Sequence, residues 1–347
     1  MANFEPVRYL KGDKIFDGKS FLPADSVLVY DHQNLLIDTV PLADTEPGMV
    51  EFFEGILCPG FINTHCHLEL SHLRGQIPKG TGLPGFAQHI MTLRDTFRQE
   101  ERLEAMYAAD EEMEKNGIVA VGDICNTAES ISVKSRSNVF YHSFVELIAL
   151  DPQNAQKVFE KGNTLVAEYN NNNLSAGLTP HAPYSVSLRL IELISKACAA
   201  QQLPFSIHNQ ESLAEDEFFR EGSGALNELY DFLKLDTSYF KPSGKSSLAT
   251  YAHLLTKDPI LVHNTFSDAA DLSLPGLQEA FWCFCPAANL YIEKSLPDFS
   301  MFLNKGLRFC FGTDSLASNN RLDLLQEANI FMDNVSGCSS GLLLAAL

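Results

Sequence analysis

The sequence predicts an α/β protein built on a distorted (β/α)8 barrel, and three observations predict it. From residue 56 onward, eight short apolar runs of strand character follow one another, most of them separated by helical or helix-length segments. Alternation of this kind argues for parallel strands joined by helical crossovers. The 347 residues, 45% of them hydrophobic, suffice for one large core with a small companion. His65, His67, His181, His208, His263 and Asp314 all fall at the C-terminal ends of the proposed strands. In a barrel that face is where functional groups converge. A doubly wound open sheet is the rival, but the Gly-rich loop expected after one of its early strands is missing.

Residues 1–55 read differently, as short β-type runs broken by Gly, Asp, Asn and Pro, a meander of small strands. ILCPGFINTH, from residue 56, is the first barrel strand. Residues 71–90 are rich in Gly and Pro and read as a lid or rim loop. Residues 97–117 form a helix closed by Gly117. GIVAVGDIC and NVFYHSFVELIAL follow as buried strands, and the asparagine run at 170–173 is a polar turn. LSAGLTPHAPYS is the fourth strand, and the helix SLRLIELISKACAAQQ comes next. LPFSIHNQE, DPILVHNTF, EAFWCFCPAAN and RFCFGTDSLASN complete the series. Residues 212–259 are longer than one crossover needs, and SLAEDEFFREGSGALNELYDFLK within them supplies two short helices over the mouth. The domain division is 1–55, 56–330 and a tail of 331–347.

The formal charge of −19 repels phosphate backbones and argues against nucleic acid as a partner. Eight dispersed cysteines read as free thiols of a reducing compartment, and Cys283 and Cys285 as core thiols on one strand face. No apolar stretch approaches membrane length, and the first residues lack the shape of a signal peptide. A cytoplasmic protein is the expectation.

Residues i and i+2 of a strand point to the same side, so His65 and His67 can present two ring nitrogens to one ion. His208 adds a third nitrogen and Asp314 a carboxylate oxygen. This donor set suits one Zn2+, with Fe2+ the alternative, and leaves a position open for water whose pKa the ion lowers. His263 is either a further ligand or the hydrogen-bond partner of that water. Glu211, three residues beyond His208, can face the open position and move a proton.

PGFINTHCHLE, TPHAPYS, the His-Asn-Gln-Glu of 208–211, VHNTF, CPAAN and FGTDS together resemble the amidohydrolase superfamily. The resemblance is strongest to its mononuclear-metal deaminase and chlorohydrolase branch, and it spans residues 1 to about 330. It implies that His65, His67, His208 and Asp314 bind the metal, that His263 contacts the hydrolytic water, and that Glu211 shuttles a proton. Asp314 doubles as base. His181 faces substrate, with Glu69, Arg74 and Asn289 as further substrate-side residues and Asn264 near the pocket. The lysine that bridges two metals in another branch is absent from LSAGLTPHAPYS, which argues for a single ion. The family's small β-sandwich is built from both chain ends. Here its usual closing strands do not follow Asp314, so that part is expected to be incomplete.

The implied reaction is hydrolytic deamination of an amino-substituted N-heterocycle, purine-like, nucleoside or aminofutalosine-like. The alternatives are chlorohydrolase or cyclic-amide chemistry on the same site, and a noncatalytic metal-binding barrel. Phe86, Phe218, Phe219 and Trp282 either stack on a ring or pack. A homodimer is the base-rate expectation.

Overall fold

Hydrophobic alternation and helix punctuation are realised in two compact units, the chain up to Gly60 with Gly337–Leu347, and Phe61–Ser336. The computed structural model describes residues 8–46, 48–256 and 258–347. Residues 1–7, on which the signal-peptide reading rests in part, lie outside the described residues.

The first unit holds β1 (Arg8–Ile15), β2 (Ser26–Tyr30), β3 (Leu36–Pro41) and β4 (Val50–Leu57), in the order β3-β2-β1-β4. β4 pairs with β1, in parallel, so the sheet is not a simple meander. The connection after β3 carries the chain to the far side of β1, as parallel pairing demands. The described residues of this unit contain one sheet, without the second sheet that a sandwich needs.

The second unit runs β5 (Phe61–Cys66), α1 (Gly82–Leu93), α2 (Gln99–Lys115), β6 (Ile118–Cys125), α3 (Ile131–Lys134), β7 (Phe140–Leu147) and α4 (Ala155–Asn171). It continues with β8 (Ser175–Pro180), α5 (Leu188–Gln201), β9 (Ser206–Asn209), α6 (Leu213–Glu221), α7 (Ala225–Leu233), α8 (Ser247–Tyr251) and β10 (Ile260–His263). β11 (Phe281–Phe284), α9 (Pro286–Ile292), α10 (Phe299–Asn304), β12 (Phe309–Phe311) and α11 (Leu324–Asp333) complete it. The last helix, α12 (Ser340–Ala345), belongs to the first unit, where Gly341 lies against Phe21.

All eight expected strands are present, in two four-stranded parallel sheets, β5-β6-β7-β8 and β9-β10-β11-β12. At one seam the His208 N–H donates to the His181 carbonyl at 3.0 Å. At the other the Asp314 N–H donates to the His65 carbonyl at 3.0 Å, beside a parallel bridge between Cys66 and Asp314.

Local signals explain most boundaries. Glu101 reaches back to the Arg98 N–H at 2.9 Å to start α2, and Gly117 at φ +77° ends it. The rim loop expected at 71–90 is largely helical: a 3-10 turn covers Leu68–Leu73 and α1 begins at Gly82. Pro84 lies in the first turn of α1, where a missing N–H costs nothing, so its Gly and Pro mark a helix start. The asparagine run ends α4, and Asn173 turns left-handed at φ 59°. The two short helices expected in 212–234 are α6 and α7, and α8 follows them before β10. Trp282 is fully buried against Phe302, with ring centroids 5.1 Å apart. Cys283 and Cys285 are buried in one apolar cluster, and all eight cysteines are free. No helix among the described residues is long and apolar enough to cross a membrane.

Candidate active site

The strand ends of β5, β9 and β12 bring four donor atoms together. His67 Nε2 lies 3.2 Å from His65 Nε2 and 3.2 Å from His208 Nε2. Asp314 Oδ1 is 3.6 Å from His65 Nε2 and 3.5 Å from His67 Nε2. His263 joins from β10, its ring 5.7 Å from that of His65 and stacked on His208 at 5.6 Å. Close approach of backbones makes this possible: a Cβ on Gly312 would stand 2.8 Å from the His65 carbonyl oxygen. His263 and Asp314 hold φ of 76° and 55°, a left-handed conformation unusual for such residues. Strain of this kind persists where surrounding packing enforces it, and it clusters at functional sites.

The chemistry of these donors fits a divalent ion. Burial pushes the His67 ring down to about 3, helped by neighbouring His65, and burial lowers His65, His208 and His263 as well. These rings are therefore neutral ligands at pH 7. Burial opposes charge on Asp314, but the hydrogen bond with His65 and the nearby His67 hold its carboxyl below the usual range. His208 Nδ1 faces the His181 carbonyl at 2.7 Å, and His263 Nδ1 faces Asn289 Oδ1 at 2.8 Å. Each acceptor takes the ring's N–H, which leaves Nε2 as a lone pair turned into the cluster.

The cluster opens into a cavity of about 930 Å3. Glu211, His263, His181 and Asp314 line its floor. Glu211 is buried, with Oε1 at 3.6 Å from His263 Nε2. Burial pushes its carboxyl well up, reinforced by Asp314 and Glu293. Its backbone is anchored by Glu215, which accepts the N–H of Gln210 at 3.1 Å and that of Glu211 at 3.4 Å. Leu83, Phe86 and Ile90 of α1 and Leu229 and Leu233 of α7 form an apolar wall above.

The residues expected on the substrate side divide. His181 lines the cavity, its Nδ1 2.6 Å from Ser185 Oγ. Asn289 stands behind His263 and orients that ring, rather than facing the cavity. Glu69 is committed to the backbone beyond β6, accepting from Asn126 N at 3.0 Å and from Thr127 N at 3.2 Å. Arg74 turns away, its guanidinium paired with Glu112 of α2 at the surface. Asn264 bonds the Leu261 carbonyl at 2.7 Å inside the fold. Of the aromatic candidates Phe86 reaches the cavity. Phe218 and Phe219 belong to the buried cluster around it, and Trp282 to the core.

Sequence reasoning missed three acids. Asp123 of β6 accepts the Leu68 N–H at 2.7 Å, directly after His67. Glu146, near the end of β7, lines the cavity, and Glu215 is described above. The available signal for the first two was an acid inside an otherwise apolar strand, in GIVAVGDIC and SFVELIAL.

Known proteins resemble this chain along most of its length. The model of the amidohydrolase family matches residues 56–344. The aminodeoxyfutalosine deaminase of Deinococcus radiodurans is 27% identical over 303 residues, covering 84% of this chain and 71% of that protein. The 5′-deoxyadenosine deaminase of Methanococcus vannielii is 24% identical over 327 residues, covering 91% and 72%. The crystal structure of Helicobacter pylori aminofutalosine deaminase superposes with a TM-score of 0.80 at 24% identity, covering 98% of this chain and 85% of that one. The chain belongs to the amidohydrolase family. It is a hydrolase acting on carbon–nitrogen bonds.

Proposed function

We propose that this enzyme hydrolytically deaminates an amino-substituted, purine-like N-heterocycle, with His65, His67, His208 and Asp314 holding one divalent ion, Zn2+ ahead of Fe2+. The observation that carries the reading is the buried Glu211 carboxyl, 3.6 Å from His263 Nε2 and open to the same cavity as the ligand cluster. A carboxyl at that point can protonate a ring nitrogen beside the reacting carbon, which lets the ring accept a nucleophile, and this favours deamination.

When bound, a divalent ion at this cluster supplies a nucleophile from water at neutral pH. Glu211 donates a proton to the ring nitrogen adjacent to the carbon that bears the amine. His263, held by Asn289, accepts a hydrogen bond on Nε2 from the attacking water and fixes its direction. Asp314 takes the water's proton and passes it to the amine, which leaves as ammonia, and the proton left on the new ring oxygen restores the Glu211 carboxyl. The apolar wall of α1 and α7 keeps bulk water from the ring. His181 faces the substrate from β8.

In this reading the two four-stranded sheets are halves of one distorted (β/α)8 barrel, supported by the backbone bonds at both seams. The same reading takes the chain as divided at residues 55 and 330, a homodimer in a cytoplasmic setting with no nucleic-acid partner.

The test is ammonia release by metal-loaded protein from a panel of aminated purines, pyrimidines and nucleosides. Glu211→Gln is expected to retain its metal and lose roughly 10²- to 10⁴-fold in kcat. Absence of ammonia from every compound, with one ion per chain confirmed, would sink the reading.

A further inference from the structure

Glu146 has no part in the mechanism above, yet its carboxylate lies in the cavity wall with 4% of the side chain exposed. Its Oε2 accepts the Asn126 side-chain N–H at 2.8 Å. Its Oε1 is buried, and no donor among the described residues reaches it. The nearest ring nitrogen, His208 Nδ1, is 3.8 Å away, and that nitrogen's N–H is already given to the His181 carbonyl at 2.7 Å. A buried carboxylate oxygen without a donor is costly, and native proteins keep one where a ligand or function supplies the donor. Asn126 is itself fixed through its backbone N–H by Glu69, so the carboxylate is held in place rather than free to swing toward water.

Its position decides what it would meet. Glu146 stands on the Nδ1 side of His208, while the ion's ligand atoms converge on the Nε2 side. Glu211 and His263 work from β9 and β10, and Glu146 sits two strands from β9, on β7. It thus stands in the cavity wall apart from the groups proposed to act on the reacting carbon. An apolar substituent would leave the oxygen unpaired. Hydroxyl groups would satisfy it with charge-assisted bonds.

We propose that Glu146 is a specificity-determining residue that accepts hydrogen bonds from the sugar hydroxyls of a nucleoside substrate, held for that purpose by Asn126. The inference rests on the deamination reading for the placement of the ring. It goes beyond that reading by selecting a glycosylated ring over a free base and by naming the residue that selects it.

Equilibrium binding to metal-loaded Glu211→Gln protein, in which bound ligand is not consumed, tests this with adenosine, 2′,3′-dideoxyadenosine and adenine. Adenosine is expected to bind roughly 10- to 100-fold more tightly than the dideoxy analogue. Adding Glu146→Gln should bring those two within about threefold of each other and leave adenine unchanged, the signature of a pairwise coupling. Ion affinity, read by chelator competition, should not move. Asn126→Ala, expected to show a smaller loss of the same preference, serves if Glu146→Gln does not fold. Equal weakening of all three probes, a changed ion affinity, no preference for adenosine, or no binding at all would each overturn the proposal. Ammonia release by the unmodified enzyme is scored separately. A Glu146-dependent hydroxyl preference without ammonia release would sink the deamination reading and leave this one standing, and the reverse pattern would do the opposite.

Discussion

Replacing Lys134 with Met should be among the most damaging single changes outside the ligand cluster. The Lys134 ammonium lies 2.7 Å from Asp123 Oδ2, and neither side chain is exposed at all. It also donates to Cys125 Sγ and Ser143 Oγ, both at 2.9 Å, beneath the rings of Tyr141 and Tyr169. Burial opposes its charge, but adjacent Asp123 holds its pKa above the ordinary range, while burial pushes the Cys125 thiol up to about 12. The cluster is therefore one ammonium and one carboxylate. Lys134→Met leaves Asp123 charged in the interior with only the Leu68 N–H at 2.7 Å and the Cys125 thiol at 3.3 Å as partners. An orphaned buried charge costs about 3–5 kcal/mol. Adding Asp123→Asn removes that charge and keeps an acceptor for Leu68, so the double variant should recover part of the loss, about 1–3 kcal/mol. Guanidinium unfolding followed by Trp282, the only tryptophan and fully buried in the same unit, reads this directly. Because Leu68 follows His67, the single variant should also weaken ion binding by roughly tenfold, as loss of ligand support does elsewhere. A Lys134→Met protein within about 0.5 kcal/mol of the parent, or a double variant less stable than the single, would refute the reasoning.

Gly312→Ala puts a Cβ 2.7 Å from His65 Cβ and 2.8 Å from its carbonyl oxygen. A cost of about 1–3 kcal/mol and a weaker ion site are expected, measured by the same unfolding assay and by metal titration. Asn289→Ala frees the His263 ring, so kcat should fall roughly 10- to 100-fold while metal content stays unchanged; an unaltered kcat would show that the contact is idle. Acid should release the ion late. Protons compete with metal only below a ligand's pKa, and burial pushes His67 down to about 3, so the ion should be retained at pH 5 and lost as pH falls toward that value. Metal analysis after dialysis at successive pH values checks the sign; release near pH 6.5 would mark ordinary, solvated imidazoles.

The strands and the candidate ligand cluster were legible for local reasons. An apolar run of four to eight residues bounded by Gly, Pro or Asn makes a strand wherever it packs. Two-residue periodicity then puts His65 and His67 on one face without any knowledge of the rest. Punctuation was harder: Gly82 and Pro84 signal a break equally well at a loop or at a helix start, and only the chain that follows chooses. The order of strands in the first unit was hidden because pairing of β1 with β4 is non-local.

What the sequence determined by itself is the set of donors and their place at strand ends, since both follow from spacing along one segment. What only the tertiary structure decided is which side of each donor faces the cluster and what stands behind it. Asn289 hydrogen-bonds His263, Arg74 turns to Glu112, and Glu146 keeps an unmatched buried oxygen in the cavity wall. Those outcomes depend on backbone twist at strand ends, such as the left-handed His263 and Asp314, and on partners tens or hundreds of residues away. A side chain's direction there is set by packing from every neighbouring element at once, and no single stretch of sequence carries that information.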